Sequence, residues 1–219
     1  MKMYRVKEIF GPTLQGEGPY VGTPVFFLRF AGCNKWNGRA ESKPNSICNY
    51  CDTDFVGGEL MNLMDIIDRL NELLSAHNNI EHLVISGGEP AMQIDEDLLH
   101  SLSKMFDVHL ETNGSLEIDP NTAQYFHNIT ISPKQSFVRT KAAPHADCFK
   151  FLYPWIGEEI NPIDFQRDYY DTHGNDLPEI YIQPIERDGD TPHMEEVIEL
   201  CLKNNWKLSK QIHKELKLQ

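Results

Sequence analysis

Short apolar runs that alternate with helical patterns constrain this chain more than any other feature. "VFFLRF" (25–30), "HLVISGG" (82–88), "VHLETNG" (108–114), "NITISP" (128–133), "CFKFLY" (148–153) and "EIYIQPI" (179–185) read as strands, with "WKLS" (206–209) as a last one. Between them, "LMDIIDRLNELL" (63–74) sets Leu63, Ile66, Ile67, Leu70 and Leu74 on one helical stripe. "DEDLLHSLSKMF" (95–106) opens on acids, which suit the positive end of a helix. "TPHMEEVIELCLKNN" (191–205) opens on a Thr cap with Pro at its first position. This order predicts an α/β fold around a parallel sheet, open or curled toward a barrel. The strands run into polar, Gly- and Pro-rich loops, "SGGEP", "ETNG", "SPK" and "QPIERDGD". In parallel α/β folds chemistry gathers at the carboxyl ends of strands, so these loops are expected to share one site. No repeat, linker or low-complexity tract divides the chain, and residues 1–219 read as a single domain.

Composition narrows the partners. Of 219 residues, 40% are hydrophobic and 24% charged, the balance of an ordinary globular protein. The apolar run "VFFLRF" is interrupted by Arg29, and the opening "MKMYRVKEIF" lacks a signal-peptide core, so no membrane span and a cytoplasmic address are expected. There the five cysteines should be reduced thiols, and clustered ones are better suited to metal than to disulfides. A formal charge of −13 argues against a nucleic-acid surface. The basic segment "KLSKQIHKELK" is either a local anion site or a solvated tail.

Cys48 and Cys51 sit two residues apart, with Cys33 fourteen intervening residues upstream. Three readings fit this spacing. The thiols can ligate zinc with a histidine, His77 or His82 being nearest in sequence; the C-x-x-C can be a redox pair; or three thiolates can hold a [4Fe–4S] cluster with one iron open. "SGGEP" (86–90) follows a buried strand and sets two glycines where backbone approaches a ligand closely. Cys148 and Cys201 read as core residues without chemistry.

Together the three-cysteine loop and "GGEP" resemble the radical S-adenosylmethionine (SAM) superfamily, whose usual spacing C-x3-C-x2-C is here expanded, with a loop insertion at 34–47. "TLQGEGPYVGTPVFFLRFAGC", "CNYCDTDF", "VISGGEP", "ETNG", "ISPK", "YIQPI" and "NNWKLSKQIHKELKLQ" resemble the 7-carboxy-7-deazaguanine synthase family from about residue 8 onward, in the same order. The resemblance implies a partial (β/α) barrel with a mostly parallel curled sheet. It implies a lyase that converts 6-carboxy-5,6,7,8-tetrahydropterin to 7-carboxy-7-deazaguanine through a 5′-deoxyadenosyl radical, with loss of ammonia. Two rivals are a glycyl-radical-activating enzyme, which needs an open surface for a polypeptide, and a zinc-stabilised binding module.

The resemblance also assigns residues. Cys33, Cys48 and Cys51 would hold the cluster, and Thr53 would offer its hydroxyl to Mg²⁺. Tyr50, Asp52, Gly88, Glu89, Ser132, Pro133, Lys134 and Gln183 would contact SAM. Leu14, Gln15, Gly16, Glu17, Arg29, Ser86, His213 and the terminal Gln219 would contact the pterin. Arg29 shares the parity of Val25 and Phe27, so on an inward face its guanidinium needs an anion, either a protein carboxylate or that of the substrate. Trp36 is expected to anchor a cover over the cluster. The family further implies a homodimer and an electron donor such as a flavodoxin or ferredoxin.

Overall fold

Alternation along each strand builds a sheet with two unlike faces. The computed structural model describes residues 2–155, 160–174, 177–187 and 189–218. Nine strands form one sheet: β1 (Tyr4–Leu14), β2 (Pro24–Phe30), β3 (Glu59–Met61), β4 (His82–Gly87), β5 (Asp107–Thr112), β6 (Phe126–Ile131), β7 (Cys148–Tyr153), β8 (Glu179–Pro184) and β9 (Lys207–Leu208). Their spatial order is β3-β1-β2-β4-β5-β6-β7-β8-β9. β1 is antiparallel to both neighbours, and every pairing from β2 to β9 is parallel. The parallel strands are crossed by α1 (Leu63–Ala76), α2 (Glu96–Leu102), α3 (Pro120–Ala123), α4 (Pro162–His173) and α5 (Met194–Asn204), and α6 (Ile212–Glu215) closes the described chain. Among the described residues no helix is long and apolar enough to cross a membrane.

The outer face is the core. Phe26, Leu28, Phe30, Leu83, Ile85, Leu110, Ile131 and Phe151 point outward, buried against Ile66 and Leu70 of α1, Leu98 and Leu102 of α2, Phe165 of α4 and Val197 of α5. Each such side chain contributes roughly 1.5–3 kcal/mol by leaving water. Local signals place the helices. Asn62 and Asp65 form a capping box at α1, and Asp95 accepts from Leu98 N at α2.

Some expected boundaries move. α2 ends at Leu102 rather than 106, because the Leu102 carbonyl takes the N–H groups of both Met105 and Phe106 and turns Phe106 into the core. Thr191 does not cap α5; its carbonyl closes a turn with Met194 N, and the helix starts at Met194. β1 escaped the sequence pattern because its pairing with β2 slips between Val6 and Glu8 and again between Phe10 and Thr13. Gly11 and Pro12 sit in the second slip, where Pro has no N–H to give a ladder.

The inner face is polar, and its two ends differ. At the amino ends of the strands, the Tyr20 ring packs edge-on to His109 with centroids 4.3 Å apart, and His82 Nδ1 lies 3.0 Å from His109 Nε2. Burial, helped by the neighbouring His82 and His127, lowers His109 to about 4. His82 therefore belongs to a ring cluster with His109, and His77 follows the end of α1, so neither sits in the cysteine loop. The carboxyl ends of the strands open into a cavity.

Candidate active site

That cavity measures about 620 Å³, within the range of small-molecule sites. Cys33, Cys48 and Cys51 all border it. The cysteine loop is pinned to the turn after β4 by backbone hydrogen bonds: Glu89 N to Gly32 O at 2.9 Å, Gly88 N to Phe30 O at 3.1 Å and Gly32 N to Phe55 O at 3.0 Å. A side chain at Gly88 would run into the Gly32 carbonyl and the Phe55 ring, so this close approach requires glycine. Trp36 packs edge-on to Phe55 at 5.5 Å and donates from Nε1 to Ser42 Oγ at 3.0 Å, which ties segment 34–47 to the end of the cysteine loop. Burial raises the Cys33 and Cys48 thiols, and loading metal there must displace their protons.

Beside the cysteines, Lys134 Nζ stands 5.8 Å from the Tyr50 ring centroid, and burial lowers its basicity. Ser132 and Gln183 also line the cavity, and Gln183 accepts from Ser209 Oγ at 2.9 Å. Glu89 and Pro133 do not reach it. Glu89 is fully buried, and its carboxylate accepts from Thr112 Oγ1 at 2.6 Å, Asn113 N at 2.8 Å and Ala91 N at 3.0 Å. It braces the glycine turn, whose backbone faces the cavity.

The opposite wall joins two distant motifs. Ile212 N donates to Gly16 O at 3.0 Å, Gly18 N to Ser209 Oγ at 3.0 Å, and Gln211 Nε2 to Glu17 Oε1 at 2.6 Å. A Cβ at Gly16 would collide with the His213 ring, so "LQGEG" and "QIHK" are shaped to each other. At the cavity floor Lys150 is buried, with Nζ 2.7 Å from both Glu17 Oε2 and Glu111 Oε2. Gln15 Nε2 adds a bond to Glu111 Oε1 at 3.3 Å. Burial alone would raise Glu17, but the charge and hydrogen bond of Lys150, with Gln211, hold it at about 2. Burial pushes Glu111 up despite Lys150, aided by repulsion from Glu17. Burial alone would weaken the Lys150 ammonium, yet its two carboxylates hold it above the usual lysine range. Two carboxylates thus share one ammonium at the cavity floor.

Arg29 and Ser86 are register partners on β2 and β4, and both line the cavity. Arg29 pairs with Glu8 of β1, and its Nη2 reaches the Asp54 carbonyl at 3.3 Å. The protein carboxylate is thus present, and the guanidinium still borders the cavity. Asp52 and Asp54, flanking Thr53, are tied to Lys214 at 2.5 Å and Lys7 at 2.7 Å. In the basic tail Lys207, Lys210 and Lys214 pair with Glu179, Glu215 and Asp52. Leu14, Gln15, Gly16, Glu17, Tyr50, Thr53 and His213 border the cavity; Gln219 lies outside the described residues.

Known proteins are similar to this chain over nearly its whole length. A 7-carboxy-7-deazaguanine synthase of Burkholderia multivorans is 35% identical, covering 98% of this chain and 99% of its own length. The enzyme of the same name from Bradyrhizobium diazoefficiens is 33% identical over 97% and 98%. The chain belongs to the 7-carboxy-7-deazaguanine synthase family. The crystal structure of QueE from Escherichia coli shares the fold at a TM-score of 0.67 and 24% identity, covering 95% of this chain and 94% of that one. No protein-family model matches the chain.

The family is one of radical SAM enzymes, which hold a [4Fe–4S] cluster and SAM, and the donor set suits them. A zinc knuckle needs its ligands to converge on one ion. A cubane binds its thiolates on separate corners, and three thiols around one cavity meet that looser requirement. Sequence reasoning missed Glu8, Glu111, Lys150 and Gln211. For Glu111 the signal was available: in "VHLETNG" it shares the parity of His109, opposite to the apolar Val108 and Leu110.

Proposed function

We propose that this chain is a radical SAM lyase converting 6-carboxy-5,6,7,8-tetrahydropterin to 7-carboxy-7-deazaguanine, with loss of ammonia, in 7-deazapurine and queuosine biosynthesis. One observation carries the reading: "LQGEG", Arg29, the three cysteines, the glycine turn and "QIHK" all border a single cavity. Cys33, Cys48 and Cys51 hold the cluster as thiolates. When bound, the cluster and SAM supply hydrogen abstraction at carbon, chemistry that no side chain provides. Backbone at Gly88 faces the SAM amine, Lys134 and Ser132 its carboxylate and ribose, and Tyr50 and Gln183 its adenine.

The remaining wall holds the pterin. Ionised Glu17 accepts from the ring N–H groups, and Gln15 offers both an amide donor and an acceptor. Arg29, steadied by Glu8, turns its remaining N–H groups to the substrate carboxylate, with Ser86 and His213 beside it. Thr53 offers its hydroxyl to Mg²⁺, an ion that keeps water and substrate oxygens and needs few protein ligands. The reductant is a flavodoxin or ferredoxin, and the enzyme is a cytoplasmic homodimer.

The test is anaerobic reconstitution followed by incubation with SAM, Mg²⁺, dithionite and the carboxytetrahydropterin. About four irons per chain, a brown charge-transfer band and a product of the mass of 7-carboxy-7-deazaguanine are expected. Stoichiometric zinc with no product would overturn the reading. A glycyl-radical-activating role predicts SAM cleavage that the pterin does not stimulate.

A further inference from the structure

A chain of polar contacts runs along one wall of the cavity and joins its two halves. Asp52 sits between Cys51 and Thr53, on the loop proposed to hold the cluster, SAM and Mg²⁺. Lys214 Nζ lies 2.5 Å from Asp52 Oδ2, across 162 residues of sequence, and donates to Gln211 Oε1 at 3.1 Å. Glu186 Oε1, just after β8, stands 4.0 Å from the same ammonium. Gln211 in turn donates from Nε2 to Glu17 Oε1 at 2.6 Å, on the wall proposed for the pterin. Asp52, Glu186, Gln211 and Lys214 all border the cavity.

The segment that carries Lys214 has little other anchorage. No residue of α6 is buried. Its backbone is tied to the pterin wall by Ile212 N, which donates to Gly16 O at 3.0 Å. Lys214 ties it to the cofactor loop. The Asp52 side chain is 59% exposed, so in water this pair is weak and holds the segment loosely.

We propose that Lys214 is a positioning residue that latches the C-terminal segment to the cofactor loop, so that SAM and the pterin bind cooperatively. The inference rests on the ligand assignments above and adds how the two halves of the site are coupled. Cluster and SAM fix the loop that bears Asp52 and expel water from around the pair, which strengthens it. Lys214 then holds α6, and α6 holds Gly16 and, through Gln211, Glu17 before the pterin arrives. A ligand that meets an ordered wall binds more tightly than one that must order it. By linkage, the pterin tightens SAM by the same factor.

The test measures binding by titration calorimetry on the anaerobically reconstituted enzyme without reductant, where no electron starts turnover. In the wild type, saturating SAM should tighten binding of the carboxytetrahydropterin about tenfold. Lys214→Met should shrink that gain to within about twofold, while Lys214→Arg, which keeps charge and reach, should restore most of it. Asp52→Asn removes the same pair from the other side, and the double variant should lose no more coupling than either single one. In the unloaded chain, Lys214→Met should speed amide exchange over 211–218 about threefold and leave the rest of the sheet unchanged, a readout independent of cluster and turnover.

A gain from SAM as large in Lys214→Met as in the wild type would overturn the proposal, as would a wild type with no gain. Losses that add in the double variant, or a Lys214→Arg variant no better than Lys214→Met, would do the same. Wild-type enzyme that binds SAM and no pterin would instead defeat the pterin reading itself, so the two failures are separable.

Discussion

Lys134 and Lys150 are two cations in one cavity, reached from neighbouring strands, Lys150 buried and Lys134 half-buried, and the protein treats them oppositely. Lys150 on β7 has Glu17 and Glu111 each at 2.7 Å, and its ammonium is held more firmly charged than a free lysine. Lys134, just after β6, faces the Tyr50 ring and, among the described residues, has no carboxylate at ion-pair distance; burial weakens its charge. A buried cation is costly unless a counter-charge compensates it. Where the fold supplies that counter-charge, the lysine organises the fold. Where it does not, the lysine is set for an anion that arrives with a ligand. In the proposed function that anion is the carboxylate of SAM, while Lys150 keeps two pterin-facing carboxylates in place.

This contrast can be broken by substitution. Lys150→Met leaves two buried carboxylates without their cation and should cost roughly 3–5 kcal/mol, measured by urea unfolding of the apo chain. Adding Glu111→Gln should recover part of the loss, and no loss in the single variant would dissolve the distinction. Acid gives the next largest effect. Glu17 is depressed from 4.5 to about 2, so its contribution is complete above pH 4.5 and fades as the pH falls toward 2. That amounts to up to about 3 kcal/mol at the acid end. Lys150→Met should flatten this limb in a pH series of unfolding midpoints, whereas Lys134→Met should leave it unchanged.

Lys134→Met should shift stability by no more than about 1 kcal/mol, since no protein counter-charge is orphaned. It should weaken SAM binding by about 10- to 100-fold in titration calorimetry of the loaded enzyme, the size of one charge-assisted contact. Unfolding of this variant with intact SAM affinity would invert the two roles. Smallest is Lys214→Ala at the Asp52 ion pair, half-open to solvent, worth under about 1 kcal/mol by the same unfolding measurement.

What the residue string made legible was whatever depends on short separations. Cys48 and Cys51, the "SGGEP" turn and the alternation of "CFKFLY" are local, and each landed where the pattern put it. Glu89 shows the limit: its motif was legible, yet whether the carboxylate points into the cavity or into Thr112 and Asn113 depends on a loop after another strand. Arg29 shows the same from the other side. The need for an anion was readable from its inward parity, but Glu8 came from β1, whose bulged register hid it as a strand.

The sequence by itself determined the α/β class, the loops that border the cavity and the family, because periodicity and short motifs are properties of neighbours along the chain. Only the tertiary structure decided which charges meet. Lys150 lies 133 residues from Glu17 and 39 from Glu111, and Gln211 lies 194 from Glu17. Those contacts exist because parallel pairing aligns Thr130 with both Glu111 and Cys148, and curls the inner faces of distant strands around one cavity. The same closure brings segments 34–47 and 132–147 side by side. Electrostatic pairing acts through space over a few ångströms, and only the folded chain sets those distances.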